Sequence, residues 1–206
     1  INNYYITMKI FISIDLLVLS CVFLVTASHA NDIHSLGDIK QRYSSTGLPL
    51  DEYINKPEDV YGWKEYANAT FKTVFGGTAH VLNVTSQTWL DASKVGVGID
   101  HATERTNVWT HMVVVIVPKT LIFRNLSLAY LTGDCNDNPS VPSKTDEDIL
   151  VADEIAHTTN AIGIVVFQIP NCPMIFPSDP SQKHRTEDAI LAWAWHEYLV
   201  DPQHDP

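Results

Sequence analysis

A chain of 206 residues, 45% hydrophobic and 10% aromatic, can bury one sizeable core and is no disordered segment. Its net charge of -11 is spread along the chain, so it repels nucleic-acid phosphates, and no nucleic-acid partner is expected. Three cysteines exclude a disulfide-dense mini-protein.

The chain opens on Ile1, and Met8 is the expected initiator, with residues 1–7 a leader upstream of it. Met8-Lys9 precedes an apolar run from Ile10 to Val25, then Thr26-Ala27-Ser28-His29-Ala30. A short basic start, an apolar stretch and small residues at Ser28 and Ala30 predict a signal peptide over 8–30. The run is shorter than the ~20 residues that span a bilayer, so no stable membrane insertion is expected after cleavage. Three acceptors fit a secreted, extracellular glycoprotein: Asn68-Ala-Thr70, Asn83-Val-Thr85 and Asn125-Leu-Ser127. Cys21 leaves with the signal peptide, and Cys135 and Cys172 remain for an oxidising compartment.

Residues 31–60 are polar and turn-rich and read as an N-terminal arm. Tyr61 to Phe75 alternates, with Trp63, Ala67, Phe71 and Phe75 expected inward and Lys64, Tyr66, Asn68 and Lys72 outward. Gly76-Gly77 signals a turn into a strand from Thr78 to Trp89, with Asn83 on the face opposite Leu82 and Val84. A glycine-bearing connection from Asp91 to Asn107 leads to the strand Trp109–Val117, stopped by Pro118. Leu126 to Thr132 reads as another short strand.

The period then turns helical. Thr145 is the expected cap of a helix with Asp146, Glu147 and Asp148 in its first turn and a stripe of Ile149, Ala152, Ile155 and Ala156. Ala161 to Ile169 reads as a parallel strand covered on both faces. After a Pro-rich loop, Thr186 is the expected cap of a second helix, with a stripe of Ile190, Leu191, Ala194 and Tyr198 beside Trp195 and Leu199. Antiparallel strands followed by β-α-β-α winding predict an α/β fold with a mixed sheet.

Several phrases, in order, carry a resemblance. They are Leu48-Pro-Leu-Asp-Glu-Tyr-Ile-Asn-Lys-Pro57, Val84-Thr-Ser-Gln-Thr-Trp-Leu90, Val108-Trp-Thr-His111, Pro170-Asn-Cys-Pro173, Phe176-Pro-Ser-Asp179 and Arg185-Thr-Glu-Asp-Ala189 with Trp195. On them the chain resembles the PhoPQ-activated pathogenicity-related protein family, including its secreted autocrine proliferation repressor branch. The resemblance implies an α/β-hydrolase-like mixed sheet over 61–206, with antiparallel N-terminal strands and incomplete at the C-terminus. It also implies an extracellular regulatory or signalling role, with a cell-surface, small-molecule or peptide partner. The alternative it carries is a secreted serine hydrolase, an esterase or peptidase, whose nucleophile lies beyond residue 206, since no G-x-S-x-G elbow occurs in these residues.

On that reading Gly133 and Asp134 lie in the strand-to-helix loop that donates one oxyanion-hole N–H, although Asp134 would bring a carboxylate towards a developing anion. Cys135 and Cys172 follow strands expected to be parallel neighbours, within reach of a disulfide; two separate buried thiols are the alternative. Asp134, Asn136 and Asn138 partly mimic a calcium loop, but Pro139 and Thr145 stand where its glycine and bidentate Glu belong. His80, His101, His111, His157, His184 and His196 form no zinc pattern, so neither metal nor cofactor is expected. Ser86 is on no strand-to-helix elbow, and no catalytic residue is nominated in this chain. Arg185-Thr-Glu-Asp188 reads as a helix start in which Arg185 pairs locally, and Trp89, Trp193 and Trp195 as packing residues.

Overall fold

The computed structural model describes residues 53–91, 93–96, 107–137 and 140–200, and the backbone of one strand over 23–26. The expected leader, most of the expected signal peptide, the arm up to residue 52, His101, Asn138 and Pro139 lie outside the described residues. The strands are β1 (Phe23–Thr26), β2 (Gly62–Glu65), β3 (Phe71–Lys72), β4 (Thr78–Thr88), β5 (Val108–Val117), β6 (Phe123–Leu131) and β7 (Ala161–Val166). Two helices, α1 (Glu147–Thr159) and α2 (Glu187–Val200), flank β7 in sequence.

One open mixed sheet runs β1-β6-β7-β5-β4-β2, with β3 also paired to β4. β4 and β5 form a long antiparallel pair, which keeps the aliphatic run Met112–Val117 in the sheet interior. β6 and β7 are parallel, joined by α1 as the crossover that such a pair requires. β7 is antiparallel to β5 on its other side. β1 pairs antiparallel with the outer edge of β6, Phe23 opposite Ala129 and Thr26 opposite Leu126.

Both sheet faces carry core. Ala79, Val81, Met112, Val114, Ile116 and Val165 pack with Ile149, Ala152 and Ala156 of α1. Val84, Val113, Ile164 and Val166 form the core on the opposite face. β7 is therefore apolar on both sides, as its unbroken run predicted. Gly163 is required there: a Cβ would lie 2.7 Å from the Ala152 carbonyl and 3.2 Å from the Ala156 Cβ.

Four details differ from the sequence reading. Tyr61 to Phe75 is not one strand: the chain leaves β2, turns at Asn68 (φ 61°) and re-enters as β3. The turn resets the alternation, so Trp63 is 59% exposed and Phe75 39%, while Tyr66 packs on the core instead. At α1 the cap is Asp146, whose carboxylate accepts from the N–H groups of Asp148 and Ile149; Thr145 bonds to Ser143. Within α1 the side chain of Asp153, not Ile155, is buried, because its Oδ2 accepts the Phe75 N–H at 2.9 Å and ties the hairpin turn to the helix. Along α2 the expected stripe is short: Ile190 is buried and Trp193 and Ala194 pack beneath it, but Trp195, Tyr198 and Leu199 are exposed.

Replacing Gly163 by Ala should force α1 away from β7. The expected cost is about 1–3 kcal/mol, read from the midpoint of urea unfolding. An unchanged midpoint would mean that α1 does not approach the sheet this closely.

Candidate functional site

Because β6 and β7 are parallel, their chains exit at the same end of the sheet. The antiparallel pairing brings the start of β5 and the end of β4 to that end as well. The carboxyl end of parallel strands is where open α/β sheets place their sites. The loop after β6, the long loop after β7 and the start of α2 converge there over Trp89, Trp109, Met174, Phe176 and Ile190.

The two loops are tied covalently and by hydrogen bonds. Cys135 and Cys172 form a disulfide, as one of the two sequence readings had it. The Asn136 N–H donates to the Cys172 carbonyl at 2.8 Å. The amides of Asn136 and Asn171 both donate to the Thr110 carbonyl, at 2.9 and 2.8 Å, and Asn171 Oδ1 accepts from the Thr110 N–H. The Gln168 N–H donates to the Gly133 carbonyl at 2.7 Å.

Gly133 and Asp134 stand in the loop where they were expected. The Asp134 N–H already has an acceptor in this arrangement. The Asp134 N–H donates to Glu187 Oε1 at 3.1 Å, and the Cys135 N–H to Asp134 Oδ1 at 2.8 Å. A Cβ on Gly133 would collide with the Glu187 carboxylate, so glycine there lets the helix start close on the loop. An anion of the protein itself thus occupies the N–H proposed for an oxyanion.

Arg185 pairs locally, as expected. Its Nε and Nη2 each lie 2.9 Å from Oδ2 of Asp179, which is buried, and its guanidinium stacks 4.5 Å from the Trp193 ring centre. The Ser181 hydroxyl, with Arg185 behind it, holds the Asp179 carboxyl below the usual carboxylate range.

The structure also joins two residues that lie far apart in sequence. Ser86 Oγ is 2.9 Å from His111 Nε2. His111 Nδ1 faces two acceptors, the carbonyls of Gln168 at 3.1 Å and Phe167 at 3.3 Å. Carbonyls only accept, so Nδ1 carries the proton and Nε2 offers a lone pair to the Ser86 hydroxyl. His111 is 2% exposed, and burial pushes its pKa down to about 4, against the two carbonyl bonds that raise it. Sequence spacing held no signal for this pair, because strand register creates it.

Among the described residues no three His, Cys, Asp or Glu side chains converge as metal ligands. Of the glycosylation acceptors, Asn68 is exposed in its turn and Asn125 is exposed on β6, while Asn83 is half-buried within β4.

Two outcomes follow. Cys135 and Cys172 should resist alkylation until reduced, and Cys172→Ala should cost about 2–4 kcal/mol of unfolding free energy. Alkylation of both thiols in the native, unreduced protein would contradict the bond. His111 has a folded pKa below its unfolded one, so its contribution is complete above pH 6.5 and is lost as pH falls to about 4. Over that range wild type should lose roughly 3 kcal/mol more than His111→Gln in urea unfolding. Parallel pH profiles would show that His111 is not held neutral by burial.

The family model described as PhoPQ-activated pathogenicity-related protein matches residues 50–206. Autocrine proliferation repressor protein A of Dictyostelium discoideum is 32% identical over 153 residues, which is 73% of this chain and 27% of that protein. The chain therefore spans about a quarter of the length of that relative. No solved structure matches it. On the extent of these matches, the chain belongs to the PhoPQ-activated pathogenicity-related protein family.

Proposed function

We propose that the chain is the N-terminal part of a secreted, glycosylated regulatory protein that uses a hydrolase-like framework for recognition. The observation that carries this reading is the Glu187 carboxylate on the Asp134 N–H. A hydrolase needs that donor free, in a dry site, for the charge that develops on the acyl oxygen. Here the donor is engaged by a carboxylate of the same chain. The relative named an autocrine proliferation repressor points the same way, as does the Cys135–Cys172 bond, which suits an oxidising compartment. No helix among the described residues is long and apolar enough to cross a membrane. The partner on this reading is a cell-surface molecule or a peptide.

A second reading has its own support. The succession of β6, the Gly133–Asp134 loop and α1 matches the strand, loop and helix that donate an oxyanion N–H in α/β-hydrolases. On that reading the full-length protein is an esterase or peptidase, its nucleophile lies beyond residue 206, and Glu187 must withdraw during turnover.

Expression of the full-length protein with its native N-terminus separates these outcomes. The regulatory reading expects a chain beginning at Asn31 in the culture medium, which lacks β1 and leaves the outer edge of β6 without that partner, a mass loss on enzymatic removal of N-glycans, and slower proliferation of cells given the purified protein. A cell-retained, unglycosylated product would overturn it. Serine-directed fluorophosphonate labelling at a residue beyond 206 would transfer the case to the hydrolase.

A further inference from the structure

We propose that Ser86 and His111 form a nucleophile–base pair for acyl transfer from uncharged apolar esters, separate from the Gly133–Asp134 loop. The inference goes beyond either reading of that loop, and rests on neither.

Three requirements of an activated serine are met. The first is a base in contact with the hydroxyl, and the Ser86–His111 distance of 2.9 Å supplies it. The second is a group that orients the base. The Gln168 and Phe167 carbonyls fix the imidazole in the tautomer whose lone pair faces Ser86. Gln168 is itself held in place: its φ of 67° is unusual for a residue other than glycine, and its Oε1 accepts the Met112 N–H at 2.8 Å. The third is presentation of the hydroxyl. The β4–β5 register pairs Thr85 with Thr110 and then Gln87 with Trp109, which leaves Ser86 as the extra residue of a β-bulge. A bulge interrupts the ladder and re-aims a side chain. Ser86 is half-buried, while its base is buried.

The surroundings indicate the ligand class. Trp63 lies opposite Val84, and Val84 opposite His111, so the three form one row across β2, β4 and β5 on the same face. Trp63 is 59% exposed, and Tyr61, on the same alternation, is 40% exposed. Two exposed aromatic residues, Trp63 on the strand that neighbours β4 and Tyr61 just before it, suit an apolar acyl or alcohol group. The net charge of -11 works against a substrate bearing its own carboxylate. Trp109 packs edge-on to His111, ring centres 6.3 Å apart, and its buried indole N–H has no partner among the described residues.

The chemistry closes with the ester and water alone. Ser86 Oγ bonds to the ester carbonyl carbon as its proton passes to His111 Nε2. The acyl C–O bond to the alcohol then breaks, and the alcohol leaves with that proton. Water repeats the sequence on the acyl-serine, giving the carboxylic acid and restoring Ser86.

The test is a short-chain alkyl fluorophosphonate on the natively purified protein, with the adduct mapped by mass spectrometry. Reaction forms the Oγ–P bond and breaks P–F; fluoride leaves and the Ser86 proton goes to His111. The expected result is an adduct on Ser86, absent in Ser86→Ala and formed about 100-fold more slowly in His111→Gln. No Ser86 adduct in the folded wild type, or a His111→Gln rate close to wild type, overturns the proposal. Should His111→Gln not fold, native and urea-unfolded wild type are compared: labelling of Ser86 in the native state alone supports the pair, and equal labelling overturns it. An adduct beyond residue 206 bears on the hydrolase reading and leaves the result at Ser86 to stand by itself.

Discussion

The parallel pairing of β6 with β7 is the constraint from which the rest of the molecule follows. Parallel neighbours cannot be joined by a tight turn, so the chain must cross a sheet face between them, and α1 does so. The crossing is close because Gly163 has no side chain to hold Ala152 away. It also sends both strands out at one end of the sheet. The loop after β6 and the loop after β7 are then neighbours, and the Cys135–Cys172 bond fastens them across 37 residues of sequence. Asn136 and Asn171 extend that fastening to Thr110 on β5. The Gly133–Asp134 loop and the disulfide sit at this end of the sheet, and the antiparallel pairing of β4 and β5 with β7 brings Ser86 and His111 there too.

Much of this was legible in the sequence, for a physical reason in each case. Met112-Val-Val-Val-Ile-Val117 and the run through Val166 have one environment available to them, a strand covered on both sides. The acidic first turns of α1 and α2 fit the positive ends of their dipoles. What failed depended on information that local pattern does not hold. The alternation from Tyr61 to Phe75 looked continuous, but a left-handed turn at Asn68 changed which residues face in, and Trp63 exchanged places with Tyr66. Asp153 reads as an ordinary helix-surface acid until the hairpin turn at Phe75 arrives with an N–H that needs an acceptor. On α2 the stripe was real as a pattern, yet the helix buries only its first half.

The site was partly legible in the same sense. Gly133 and Asp134 could be placed from the order of strand, loop and helix. Their hydrogen-bond partner could not, since Glu187 lies 53 residues further on. Ser86 lies on no strand-to-helix elbow and His111 is one of several scattered histidines, so neither carries a signal in the sequence. Their meeting is a property of register: the bulge at Ser86 and the two carbonyls after β7 exist only once β4, β5 and β7 have aligned.

These polar groups are not equivalent, and the difference separates structure from reactivity. Asp179 with Arg185, and Glu187 with the Asp134 N–H, each match a formal charge to a donor. Charge-assisted bonds of this kind hold loops in place, and breaking the one at Asp179 would strand a buried charge. Ser86 and His111 are both neutral. Their bond is already polarised along the path of a proton transfer, from hydroxyl to imidazole lone pair, and opening it leaves no charge behind. These two charged pairs close the loop end of the sheet. The neutral pair is held by backbone carbonyls on one side and opens through a bulged serine on the other. Of the groups gathered there, it is the one whose geometry favours bond-making over anchoring.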